Sequence, residues 1–462
     1  MTKRLSFSCV AVALFTVGCV TPVEFNAPLS RFDPTGGYRF KNLHSEGNSD
    51  ELFVILTFSG GGTRAAALSY GVLEQLKGTT VNVGGVERRL LDEVDVISTV
   101  SGGSFTGAYY AAFGDRIFED FHEKVLNKPI RSAIVNRVLF LPHNWFRLGS
   151  AKFDVGDLAE RYYAKHIFDE MRFQGLVTAG RRPFLIVNAT DMTLTAPFEF
   201  TQDQFDLLYS DLGSVPVSKA VAASAALPCV LAGIVLRNYD CRPDFTAPGW
   251  IAAVLQRGDS DLRRWEKARQ AESYTRPGER PYIHLLDGGL VDNLGLEPVL
   301  CSLDSEDSPW SVRNMLLEKR VKKVVIIVVN AGNKSQRLWD KGVDRPTVAE
   351  MFITSIQAMQ DSKTVELRAR LNEVCGQLQK EFAPDGVKFY VTEVSFDRMA
   401  SMSAQRYFHG LPTDLQLPKK AVEDLRLVGG RLLLESEKYQ ELLRDLGGSA
   451  APLEPKMPRE RR

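Results

Sequence analysis

The sequence predicts an α/β protein, a three-layer sandwich in which helices flank a largely parallel central sheet. Three observations carry that expectation. Apolar runs of strand length recur along the chain, helix-like segments separate several of them, and the first run is apolar on both faces, as in a strand covered from both sides. The composition agrees: 462 residues with 44% apolar and 25% charged side chains can bury one sizeable core or two smaller ones, and neither disorder nor collagen-like repetition fits. The 57 basic and 57 acidic residues cancel, so there is no charge excess to meet a nucleic-acid backbone, and no nucleic-acid partner is expected.

At the N-terminus, Lys3 and Arg4 precede an apolar stretch from Leu5 to Val17 that is too short to span a bilayer and has the layout of an export signal, residues 1–18. It ends Thr16-Val17-Gly18-Cys19, and small residues directly before a cysteine resemble the processing site of bacterial lipoproteins, with Cys19 as the lipidated first residue. Removing residues 1–18 leaves 55 basic against 57 acidic residues, so attachment to a membrane surface would come from acyl chains rather than charge. The expected location is the cell envelope: exported and lipid-anchored, in the outer membrane where there is one, and otherwise periplasmic or secreted. Residues 19–50 read as a polar tether.

The folded part, residues 51–410, opens with Leu52-Phe53-Val54-Ile55-Leu56-Thr57-Phe58, a buried central strand. Similar runs return at 94–100, 184–189, 283–286 and 324–329. Between Phe118 and Asp169 lies a helix-rich insertion with Arg131, Arg137, Phe140, Trp145, Phe146 and Arg147. Such residues either lie on lipid or form a lid, or else the aromatics pack inward while the arginines stay in water. A charged stretch at 257–280 reads as a surface helix with a loop. Helical patterns at 347–382 and 419–446 flank a strand at 387–396; residues 411–447 are expected to pack on the folded part 51–410, and 448–462 to be disordered. Of six cysteines, Cys229, Cys241, Cys301 and Cys375 lie beyond the leader, and none has zinc-ligand spacing. Export allows a disulfide, with Cys229 and Cys241 the nearest pair, but buried reduced cysteine is the default.

Three local patterns stand at strand ends, where open α/β sheets place their sites. The first, Ser59-Gly60-Gly61-Gly62-Thr63-Arg64, joins a strand to a helix, so that backbone N–H groups and the positive end of the helix face a common point. The spacing lacks the Gly-Lys-Ser/Thr of a nucleotide loop, and an oxyanion hole suits it better. The second, Thr99-Val100-Ser101-Gly102-Gly103-Ser104, holds Ser101 clear of the backbone at a sharp turn, a nucleophile elbow with Thr99 at its first position. Ser104, the rival hydroxyl, is expected inside the helix as a surface or capping group. The third, Leu285-Leu286-Asp287-Gly288-Gly289, ends a strand with a carboxylate that can approach a serine closely; alone, it would be an ordinary turn.

Together and in this order, the three patterns resemble the patatin-like phospholipase family over roughly residues 51–300, with weaker likeness to about 446. Ser218 through Pro228 and Asp287 through Asn293 also look like family segments. The resemblance implies a patatin-like fold and hydrolysis of acyl esters of lipids or phospholipids by a Ser-Asp dyad. In it Ser101 is the nucleophile, Asp287 its activating partner, and backbone N–H groups at Gly60, Gly61 and Gly62 hold the oxyanion while Arg64 helps fix the loop. No metal or organic cofactor is required, and the sequence names no protein partner. Ser59, Ala65 and Thr99 depart from the family pattern without removing a reacting group. A dyad without histidine asks Asp287 to titrate nearer neutrality than a free Asp, through desolvation. Two alternatives stand beside it: a Ser-His-Asp esterase completed by His409, and a lipid-binding envelope protein without turnover.

Overall fold

The structure, a computed structural model, describes residues 25–44, 48–133, 155–228, 233–240, 243–258, 261–334, 343 and 345–455. The leader, Cys19, Cys229, Cys241, Arg137, Phe140, Trp145, Phe146 and Arg147 lie outside the described residues.

Strand β1 (Leu52–Phe58) leads into α1 (Gly62–Lys77), β2 (Val94–Val100) into α2 (Gly102–Phe113), and the chain then reaches β3 (Phe184–Asp191). Every residue of these three strands is buried. Period-2 alternation is therefore absent from them, as it must be where both faces of a sheet are covered. The chain continues through β4 (Ala196–Glu199), α3 (Val217–Ser224), β5 (Ile234–Arg237), β6 (Tyr282–Asp287), α4 (Glu297–Asp304) and β7 (Lys323–Asn330). It ends in α5 (Val348–Phe382), β8 (Lys388–Ser395), α6 (Met402–His409), α7 (Lys419–Leu434) and α8 (Glu437–Asp445).

The sheet order is β8-β7-β1-β2-β3-β6-β5, a mixed sheet flanked by helices. It is parallel from β8 to β3, where helical crossovers carry the chain back, and antiparallel where β4, β5 and β6 join it. The antiparallel end decides the site. On one edge of β3, residues 188–191 pair with β4. On the other edge, β2 and β6 approach end to end: Val100 stands opposite Asn188, and Asp287 stands opposite Ala189, the next register position. Two strand ends 187 positions apart in sequence terms, Val100 and Asp287, thereby become neighbours.

Three expectations are corrected. The stretch expected as a tether is part of the body over residues 25–44: Tyr38, Phe40 and Leu43 are buried, Ala27–Pro28 pairs with Ser210–Asp211, and Asn26 bonds both the N–H and C=O of Arg237. Its aromatic residues are too widely spaced to register as periodicity, yet each finds a partner; Tyr38 packs against Phe173 and Phe184. Of the tail expected to be disordered, residues 448–455 are part of the body, because Ser449–Ala450 adds a strand beside Thr79–Thr80 and the carbonyl of Glu454 accepts from Arg426. The helical pattern at 419–446 is broken at Ser436, which starts α8.

Candidate active site

The β2–α2 turn places Ser101 at φ 49°, ψ −119°, a region that non-glycine residues enter only where the surroundings enforce it. Its hydroxyl donates to Asp287 Oδ2 at 2.8 Å, while Asp287 Oδ1 accepts the Gly289 N–H at 2.8 Å. Burial pushes the Asp287 carboxyl up to about 6, against the Gly289 N–H and the Ser101 hydroxyl, which pull it down. At neutral pH the group is thus mostly ionised yet basic enough to take a serine proton. Gly288 has no room for a side chain, since a Cβ there would lie 2.3 Å from the carbonyl oxygen of Asn188. Asp292, also buried, accepts from the N–H groups of Leu294 and Glu297 and so anchors the acidic turn to the start of α4.

The glycine loop meets this pair at the start of two helices. α1 begins at Gly62 and α2 at Gly102, and a Cβ on Gly102 would lie 2.1 Å from the Gly62 carbonyl oxygen and 2.5 Å from its nitrogen. Two helix N-termini therefore converge beside Ser101, with their partial positive charges adding. Gly61 and Gly62 sit at φ +139° and +58°, conformations that favour glycine. Their N–H groups donate to no described atom. The Gly60 N–H, expected with them, is already given to the Asn293 carbonyl at 3.0 Å. Gly60 is thus where the loop is tied to the acidic turn, and the donors without a partner among the described residues are at Gly61 and Gly62. Arg64 lies fully inside, donating to the carbonyls of Ala331 and Leu411 and to Thr413 Oγ1. With no carboxylate among those partners, burial pulls its guanidinium down to about 10, still charged at neutral pH.

The family model for patatin-like phospholipases matches residues 56–300, more than half of the chain. The chain belongs to the patatin-like phospholipase family. A search of curated proteins finds no match. Among solved structures, the chain is similar to human GIVD cytosolic phospholipase A2, with 12% identity and a TM-score of 0.40, covering 86% of this chain and 62% of that one. The same human protein in complex with methyl gamma-linolenyl fluorophosphonate and terbium chloride aligns at 13% identity and a TM-score of 0.32, over 60% of this chain and 41% of that one. This patatin-like chain thus spans less than two thirds of that relative's length.

Within the patatin-like site, His409 does not join Ser101 and Asp287. Its Nδ1 lies 3.1 Å from the Gly332 carbonyl and its Nε2 3.0 Å from Asp397, so both ring nitrogens are engaged elsewhere. Ser104 is buried rather than on the helix surface, 3.1 Å from Ser224 Oγ. Thr99 fits at the first elbow position because Gly107 of α2 leaves space for its methyl group. Cys301 and Cys375 are both free thiols, and burial pushes Cys375 up to about 12. Sequence reasoning missed four residues that brace the site. Ser98 donates to the Gly295 carbonyl and accepts from the Asn188 amide; Asn293 holds Gly60; Ser224 bonds the Ser101 N–H. The signal for Ser98 and Asn188 was present, as polar residues interrupting otherwise apolar strands.

Proposed function

We propose that the chain is a lipid acyl hydrolase of the phospholipase A or lysophospholipase type, cleaving carboxylic esters through an acyl-enzyme on Ser101 with Asp287 as base. The observation that carries this reading is the direct 2.8 Å bond from the Ser101 hydroxyl to Asp287 at a strained strand-to-helix turn. As Oγ attacks the ester carbonyl, its proton passes to Asp287 Oδ2. The oxyanion forms against the N–H groups of Gly61 and Gly62, with both helix N-termini behind them, and this stabilisation supplies the larger share of the rate gain. Asp287 returns the proton to the departing alcohol, and water then releases the fatty acid by the same steps.

A lipid surface is the proposed source of substrate. Helix α5 passes the acidic turn, where Gln360 comes within 3.1 Å of where a Gly289 side chain would begin, and Val348, Met351 and Met359 on its first half are exposed. Among the described residues no helix is long and apolar enough to cross a membrane, so contact would be made at the surface. Export and lipid anchoring at Cys19 belong to the same proposal and rest on the pattern of residues 1–19.

The test is hydrolysis of extracted lipids, read by mass spectrometry of released fatty acids. Wild type should release them; Ser101→Ala should not, and a fluorophosphonate should modify the wild type at Ser101. His409→Ala should keep turnover within about threefold, since neither of its ring bonds reaches the dyad. Complete loss in a folded His409→Ala protein would restore the triad, and a wild type that neither labels nor hydrolyses would leave the lipid-binding reading.

A further inference from the structure

The ladder between β2 and β3 stops at Val100 opposite Asn188, and the next donor along the chain, the Ser101 N–H, reaches no strand carbonyl. A side-chain hydroxyl takes its place. Ser224, the last residue of α3, accepts the Ser101 N–H at 2.8 Å and donates its own proton to the Asn188 carbonyl at 2.6 Å. Its single proton being spent there, the 3.1 Å contact with Ser104 has Ser104 as donor. Ser224 is wholly buried, so water does not substitute for it. The Asn188 carbonyl that receives the Ser224 proton is also the atom against which Gly288 is seated, one residue from Asp287. One hydroxyl thus links the turn carrying the nucleophile to the strand that seats the turn carrying the base.

We infer that Ser224 is a positioning residue of the acyl-transfer site, whose hydroxyl holds the Ser101 backbone in its strained turn so that Oγ stays aimed at Asp287. This inference rests on the Ser101–Asp287 reading above. A residue at positive φ persists only where its surroundings over-determine it, and the bond to the Ser101 N–H is one such constraint. Without an acceptor, that part-buried N–H loses its partner, the turn relaxes, and Oγ drifts from the geometry attack requires.

The experiment uses the full chain as wild type, Ser224→Ala and Ser104→Ala, with melting temperature, steady-state ester hydrolysis and the rate of fluorophosphonate inactivation at Ser101. Ser224→Cys, which keeps the volume but weakens both hydrogen bonds, stands in if Ser224→Ala does not fold. The expected result is a fall of about ten- to hundredfold in kcat and in inactivation rate for the Ser224 variant, with KM within about twofold. Ser104→Ala, which removes a neighbour from the same buried cluster but leaves the acceptor for Ser101, should stay within about threefold of wild type. Labelling of the Ser224 variant within threefold of wild type, or an equal loss in Ser104→Ala, would overturn the inference while leaving the dyad standing. A wild type that neither hydrolyses esters nor labels at Ser101 would instead remove the dyad itself.

Discussion

Asp287 illustrates a conflict between stability and chemistry at a single residue. Burial pushes its carboxyl up to about 6 from the 3.8 of a free one. The sign follows from linkage: a carboxylate whose folded pKa is raised favours the unfolded chain once ionised, so its penalty is absent below about pH 4 and complete above about pH 6. Asp287→Asn should therefore abolish turnover and yet raise stability by about 3 kcal/mol at pH 7.5, with the gain vanishing toward pH 4. The amide can still accept the Gly289 N–H and donate to Ser101, so the geometry should survive. Thermal melts of both proteins across that pH range check the stability gain, and ester hydrolysis at pH 7.5 checks the loss of turnover. For the wild type, kcat/KM should rise with pH through about 6, and an acidic limb near 4 would mean that Asp287 is not the base. The residue types of this site were readable from the chain, because Gly-rich turns around a serine and an aspartate have few other uses at strand ends. What could not be read was that Gly60 gives its N–H to Asn293, since that bond depends on where a distant loop comes to rest.

Among the elements, α1 has the most to hold in place, since it starts at the glycine loop and is itself backed by α7. The two helices cross with backbone against backbone. A Cβ on Gly71 would lie 2.0 Å from the Arg426 carbonyl oxygen, and one on Gly429 would lie 2.4 Å from that of Leu68. Arg426, buried at the same crossing, pairs with Glu74 on α1 and Glu423 on α7. Gly71→Ala must push α7 outward and should cost about 3 kcal/mol or more, lowering the melting temperature along with activity. A Gly71→Ala protein as stable as wild type would show that the crossing is looser than the geometry implies. The strands of the parallel half were legible as apolar runs, whereas β4 and β5, four residues each with partly exposed faces, carry no comparable signal. The same limit hid the ribbon formed by Thr79–Val83 and Val86–Arg89.

For the whole molecule, one continuous hydrophobic cluster runs from Tyr38 to Leu446, so residues far outside the family match help hold the site. Tyr38 is the clearest case: its ring packs on Phe173 and Phe184, and its hydroxyl accepts the Leu185 N–H within β3, the strand on which the dyad is assembled. Tyr38→Ala should cost about 3–5 kcal/mol, checked by urea unfolding, and a change under 1 kcal/mol would return residues 25–44 to the role of a tether. The α/β class, the central strands and the three strand-end motifs follow from local pattern alone, because burial on both faces and glycine turns are properties of neighbouring residues. The pairing of Ser101 with Asp287, the hydroxyl bridge through Ser224, the engagement of His409 by the Gly332 carbonyl and the docking of residues 25–44 and 449–450 were decided only by folding. Each joins residues scores or hundreds of positions apart, and such contacts depend on sheet register and on which carbonyls a strand end leaves open, quantities that no local run of residues encodes.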